Sequence, residues 1–371
     1  MTPSRAARPL AADTAASDVP QPRGVQSPAP QAPGAPPPPR RLAVRVLALP
    51  LLGALTVMAM MASLTVGDRS MTPGTVIEAL LSTDMSLIDH QVVWGSRVPR
   101  TVAGVAVGAA IAVAGALVQA LTRNPLADPG ILGVNAGAAA AVAAGVSLLG
   151  IGSMQGQLWC AMIGALVATM AVLAIGASGG QGADPIRLTL AGVAFAAVMA
   201  GLTTAITLLD VRAFDAMRTW SAGSLAVRGL VPTLQALPFI AVGLLAAAAA
   251  GRYLSAIALG DDLATTLGVP LLKARALGIL GVTAACGAAT AIAGPIGFVG
   301  LMVPHVIRWI VGPQQGWILT LSALAGPSLV LLADVLARVA TPGGMPVGVV
   351  TAFLGAPVLI AMVRSRAVSG L

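Results

Sequence analysis

Residues 276–312 read A-L-G-I-L-G-V-T-A-A-C-G-A-A-T-A-I-A-G-P-I-G-F-V-G-L-M-V-P-H-V-I-R-W-I-V-G, and whether they form one element or two decides the architecture. The run is too long for one upright helix, since about 20 apolar residues cross a hydrocarbon core of about 30 Å. Pro295 removes a backbone donor, and the glycines before it weaken a helix there. The stretch therefore divides into 276–295 and 296–312.

The rest of the chain has the same character. Of its 371 residues 57% are hydrophobic and 9% charged, and the mean hydropathy is +0.91. Soluble domains carry roughly a quarter charged residues. This composition specifies an integral membrane protein. Long uncharged runs select helices over a barrel, which shows short alternating segments. Ten spans are predicted: 46–66, 101–121, 131–152, 158–178, 188–209, 230–250, 276–295, 296–312, 316–337 and 346–363. Small residues fill them, as in Gly104-x-x-x-Gly108, and permit close helix approach.

Parity tests the division at Pro295. Arg40, Arg41 and Arg45 precede the first span, while Arg364 and Arg366 follow the last. Both termini then face the cytoplasm, which requires an even number of crossings. With ten, 14 of the 21 basic residues lie inside, as the positive-inside rule requires. The net charge of +8 is thereby read as orientation in the cytoplasmic (inner) membrane, not as a nucleic-acid footprint. Residues 1–41, rich in Pro and Ala, are expected to be a disordered cytoplasmic tail. Arg40-Arg41 before an apolar run is read as an anchor of the first span rather than an export signal, because many spans follow. Residues 42–371 are expected to form one ten-helix transmembrane domain, with a cytoplasmic loop at 251–275. The external segments 67–100 and 210–229 are long enough for short interfacial helices.

Much chemistry is missing. With two histidines, His90 and His305, and no His-Glu-x-x-His pattern, catalysis is not indicated. Cys160 and Cys286 lie in apolar runs, so neither a disulfide framework nor a thiolate metal site is expected. Carriers driven by protons or sodium bury ionisable groups at mid-membrane; the spans hold His305, Arg308 and Asp334. Asp334 precedes Arg338 by four residues, so an intrahelical pair lowers its cost. No P-loop exists, and the sole lysine is Lys273. If ATP drives this protein, another chain binds it.

Four stretches together resemble the FecCD-type permeases of ABC importers for iron-siderophore complexes, haem and cobalamin. They are R-V-P-R-T-V-A-G (97–104) leading into G-A-L-V-Q-A-L-T-R-N-P-L-A-D-P-G-I-L-G-V (115–134); L-G-D-D-L-A-T-T-L-G-V (259–269); G-P-I-G-F-V-G-L-M-V-P-H-V-I-R (294–308); and A-D-V-L-A-R (333–338) with P-V-G-V-V-T-A-F-L-G-A-P (346–357). Their order and spacing cover about residues 45–365. The resemblance implies an all-α type II importer permease with about ten transmembrane helices. It implies a second permease subunit, identical or different, two cytoplasmic ATPase subunits holding ATP-Mg, and an external substrate-binding protein. No cofactor or metal is implied on this chain. The cargo implied first is an iron-siderophore complex, with cobalamin or haem as alternatives; an ion-coupled secondary carrier is the rival of another class.

Two groups of residues then acquire roles. Asp261 and Asp262 suit the first turn of a short helix, where a carboxylate caps free N–H groups and meets the positive end of the dipole. Leu263 and Leu267 share a face, and Gly268 ends the helix. The segment either packs on its own bundle or reaches a partner. The resemblance implies an ATPase-coupling helix comprising Leu259, Gly260, Asp261, Asp262, Leu263, Leu267 and Gly268. Arg97, Arg100 and Arg338, at external span ends, either cap helices and snorkel or, as the resemblance implies, dock carboxylates of the binding protein through bidentate pairs. Asn124–Pro129 is read as a rigid turn between spans two and three, and His305 with Arg308 as internally bonded.

Overall fold

The computed structural model describes residues 39–364, except 68, 179–184, 227–228 and 342. The tail expected to be disordered therefore lies, up to residue 38, outside the described residues, as does Arg366. Among the described residues every regular element is helical. Helix α1 (Pro39–Thr65) is followed by the short α2 (Pro73–Leu81) and α3 (Ile88–Val92), which passes through a π turn at Val93–Arg97 into α4 (Val98–Thr122). A 3-10 turn at Pro129–Leu132 leads to α5 (Val134–Leu149). Then come α6 (Met154–Ala177), α7 (Pro185–Leu209), α8 (Val211–Trp220) and α9 (Val231–Ile257). The chain closes with α10 (Asp261–Thr266), α11 (Leu271–Ala293), α12 (Val299–Val311), α13 (Gln315–Ala340) and α14 (Val347–Arg364).

Each of the ten expected spans is a helix: α1, α4, α5, α6, α7, α9, α11, α12, α13 and α14. Seven are long and apolar enough to cross a membrane unaided, and α5, α12 and α14 are shorter. The extra elements α2, α3 and α8 occupy the two long segments that sequence assigned to the external side.

The division at Pro295 is real. Helix α11 stops at Ala293, and Gly294 takes φ +71°. A side chain there would meet the Trp220 carbonyl. The Ser224 N–H donates to the Ala293 carbonyl at 2.7 Å, so the stretch after α8 satisfies a carbonyl that the break would orphan. Phe298, at φ +68°, restarts the chain as α12.

Helix α4 is the centre of the bundle. It is buried along most of its length, with α9, α11, α12 and α13 packed around it. Gly104-x-x-x-Gly108 forms part of this packing: a Cβ on Gly104 would lie 2.5 Å from Leu331 Cδ2, and one on Gly108 would lie 2.7 Å from the Gly326 backbone. One turn pair further on, Gly115 faces the Gly300 carbonyl so closely that no side chain fits. In lipid, where apolar surface gains little by leaving its surroundings, such backbone proximity is the source of helix association.

Candidate functional site

The predicted coupling segment forms its helix, but with different chemistry at its start. Helix α10 spans Asp261–Thr266, Gly260 is the N-cap, and no side chain caps the first turn. Asp261 does not cap because its oxygens are committed elsewhere. Arg123 donates to one, and Arg275 Nη2 donates to the other at 2.6 Å. Arg123 also donates from Nε to the Ile257 carbonyl at 2.9 Å, closing the end of α9. One aspartate thus ties α10 to the ends of α4, α9 and α11. At the C-terminus the expected glycine stop is present. Gly268 has φ +77°, its N–H meets the Thr265 carbonyl, and the Val269 N–H meets the Ala264 carbonyl at 2.9 Å, a Schellman closure.

The apolar face of α10 does not pack on its own bundle. Ala264 is fully buried, whereas Leu259, Leu263 and Leu267 are 63%, 46% and 56% exposed. Asp262 is exposed as well. The loop is also narrower than 251–275, because α9 runs to Ile257 and α11 begins at Leu271. Sequence reasoning missed Arg123 and Arg275 as members of this site. In sequence they count only among the basic residues that orient the chain, though their positions at the ends of spans flanking the loop are a usable signal.

At the opposite end, two of the three predicted docking arginines, Arg97 and Arg338, bond the end of α1, and the third, Arg100, reaches across to α13. Arg97 is 4% exposed and donates from Nη1 to the Leu64 carbonyl at 2.5 Å and from Nη2 to the Arg69 carbonyl. Arg338 donates from Nη1 to the carbonyls of Val66 and Ser63 at 2.6 and 3.1 Å. These carbonyls belong to the last turn of α1 and just beyond, where no intrahelical donor is available. Arg100 makes a fork on fully buried Asp334, at 2.8 Å from Nη2 and 2.9 Å from Nε. The expected Asp334–Arg338 pair forms at 3.2 Å. Sequence spacing revealed the i,i+4 partner but not the inter-helical one. In the α2–α3 loop, hydrogen bonds from Ser86 hold the Asp84 carboxyl below its ordinary value.

The turn at Asn124–Pro129 is more than a surface connection. Asn124 Oδ1 accepts from the Leu126 N–H at 2.9 Å, and Asp128 Oδ1 accepts from the Gly130 N–H at 2.8 Å, opening the 3-10 turn. Pro129 packs on Gly300, and the Ile131 carbonyl presses on Gly192. Gly300 is eleven residues from the end of α12, about 16 Å along it. The segment therefore re-enters the bundle, which is why α5 is short. Irregular backbone at such depth is tolerated where protein surrounds it. The internal bonding expected of His305 and Arg308 is only partly made: Arg308 Nη2 donates to Gln119 Oε1 at 3.1 Å, and Gln119 Nε2 donates to the Leu301 carbonyl at 3.1 Å, while Arg308 Nε and Nη1 find no acceptor among the described residues. His305 meets Trp309 edge-on, with centroids 4.7 Å apart, and its buried Nδ1 has no hydrogen-bond partner among them. Among the described residues no cluster of metal-ligating side chains occurs.

Comparison with known proteins gives a consistent set. A model of the FecCD transport family matches residues 55–365. The ferric enterobactin transport system permease protein FepD of Escherichia coli (strain K12) is 47% identical, over 88% of this chain and 97% of its own. The Fe(3+)-citrate import system permease protein YfmD of Bacillus subtilis (strain 168) is 39% identical, over 76% of this chain and 88% of its own. The vitamin B12 import system permease protein BtuC of Escherichia coli O17:K52:H18 (strain UMN026 / ExPEC) is 39% identical, over 83% and 92%. A solved structure, described as an inward-facing conformation of a metal-chelate type ABC transporter, superposes with TM-score 0.74 at 25% identity. The match covers 86% of this chain and 99% of that one.

Proposed function

The chain belongs to the FecCD transport family, and from that membership we propose that it is the permease subunit of an ATP-driven importer of ferric siderophores. The chain provides the membrane path and the lever, while ATP is hydrolysed on separate ATPase subunits and the chelate arrives on an external binding protein. The ferric enterobactin relative, at 47% identity, supports an iron chelate over the B12 cargo of a relative at 39%. In this reading the α10 end faces the cytoplasm, and both termini with it.

The observation that carries the proposal is the row Leu259, Leu263 and Leu267, exposed on and beside a short helix whose first residue, Asp261, clamps it to three spans. An exposed apolar face on a stiff mount suits a surface that receives force from a partner. Covering the exposed half of each leucine is worth about 0.7–1.5 kcal/mol, half of what full burial gives. Leu263→Ala with Leu267→Ala is expected to leave the thermal midpoint within about 2 °C, since both side chains are solvent-facing. Co-purification with the ATPase and siderophore uptake are both expected to fall at least tenfold, the effect of losing about 1.4 kcal/mol or more. Uptake and ATPase retention at the wild-type level would refute the coupling role. At the opposite end, we propose that Arg97, Arg100 and Arg338 hold the surface on which the binding protein docks, with Arg100 as its most accessible cation.

A further inference from the structure

A slot runs along α4 on a face separate from both regions above. Its upper part, about 460 Å³, lies between α1, α4 and α9 and is lined by apolar side chains such as Met60, Val102, Leu237 and Ala241. Its lower part, about 450 Å³, lies between α4, α9 and α13 and shares Leu244 with the upper part. From Leu237 to Arg252 the slot follows fifteen residues of α9, or about 22 Å. That is the depth of one leaflet with its headgroup layer, half of about 40–45 Å.

The two parts differ in chemistry. The lower mouth, at the α10 end, carries Arg252, Ser255, Gln314, Gly316 and Thr320, with no carboxylate among its lining residues. Among the described residues Arg252 has no ion-pair partner; its guanidinium lies 4.5 Å over the Tyr253 ring. Gln314 accepts from Arg45 through Oε1 at 2.6 Å, which leaves its amide N–H groups as donors. Gln314 is also the N-cap of the 26-residue α13 and makes no side-chain capping bond. The partial positive charge of that helix start therefore opens on the same mouth as the arginine. A larger apolar groove of about 850 Å³, between α6, α9 and α11, ends at Arg275, but that cation is already paired with Asp261. Among the described residues lining these grooves, Arg252 is the cation that stands without an ion pair at the foot of an apolar slot.

We propose that this slot holds one anionic phospholipid, with an acyl chain along α4 and α9 and its headgroup phosphate at Arg252 and the start of α13. The length of the slot, its apolar wall and its cationic foot fit that molecule and no free phosphate. The site is independent of the assignment of cargo or ATPase partner.

The test uses the assembled transporter, reconstituted in nanodiscs containing phosphatidylglycerol and phosphatidylcholine, then released into detergent for native mass spectrometry. One tightly retained phosphatidylglycerol per chain is expected in the wild type. Arg252→Gln is expected to lower its retention about fivefold, the loss of one cation's attraction for an anionic headgroup. Ala248→Trp, which fills the exposed mouth, is expected to remove it, and excess inorganic phosphate is expected to leave it bound. The proposal is overturned by equal retention in wild type and Arg252→Gln. It is likewise overturned by displacement with phosphate, or by an Ala248→Cys cross-link that forms to the second permease subunit instead of to lipid.

Discussion

Asp334 and Asp261 show how far a single aspartate's role depends on depth. Asp334 is fully buried between Arg100 and Arg338. Removing one partner of a buried ionic group costs about 3–5 kcal/mol, because the charges left behind lack both water and a counter-ion. Asp334→Ala is therefore expected to lower the thermal midpoint of the detergent-solubilised chain by at least about 6 °C. That figure takes about 2–4 °C per kcal/mol for a large domain; a midpoint unchanged from wild type would show that the two arginines find other acceptors. Asp261 is 38% exposed, so each of its two pairs contributes at most about 1 kcal/mol. Its importance is positional. The sequence made the acidic residues visible, along with the i,i+4 partner of Asp334. It did not reveal Arg100, Arg123 or Arg275 as partners, because pairs separated by 234, 138 or 14 positions form only after helices have packed. A carboxylate beside a helix start was read as a cap, and competition from two guanidinium groups drew it away.

Among the elements, the most legible were those governed by backbone rules. Gly294-Pro295 ended α11 where the missing donor required, and Gly268 closed α10. The re-entry of 124–132 was not legible, since the same Asn, Asp and Pro residues also make ordinary surface turns. What distinguishes it is its landing place: Gly300 and Gly192 have no side chains to exclude it. The same reasoning gives a prediction for α4. Gly115→Val would place three carbons inside the Gly300 backbone, beyond the about 1–3 kcal/mol of ordinary overpacking. It is expected to abolish folded membrane protein, whereas Gly201→Val, facing open space on α7, is expected to express at the wild-type level. A fluorescence-detected gel-filtration profile distinguishes the two; a monodisperse Gly115→Val peak would refute the packing argument.

For the whole molecule, composition and loop charges were enough for ten spans, because crossing number depends on apolar run length and parity alone. The arrangement of those spans around α4 was not readable, since contacts between small residues leave little trace in any local pattern. The two ends also differ in kind: one offers exposed leucines, the other guanidinium groups drawn inward. A conservative change tests the latter. Arg100→Lys keeps a cation beside buried Asp334 but removes the planar fork that a guanidinium offers to a carboxylate. The substituted chain is expected to keep the ATPase proposed above and to lose at least tenfold of its affinity for the proposed binding protein, measured by surface plasmon resonance on nanodiscs. Unchanged affinity would remove Arg100 from the docking surface.

The glycine contacts of α4 bear on how such a molecule can move. Backbone pressed against backbone leaves no intermediate position, so α4 cannot slide past α12 or α13 by part of a residue without a clash. These helices form a keel that turns as one piece. Helix α7 carries one such contact of its own, at Gly192 against the Ile131 carbonyl, while most of its apolar surface faces away from this chain's core. In the coupling role proposed above, work delivered through Asp261 turns the stiff centre as a unit, which makes the keel the fulcrum rather than the gate.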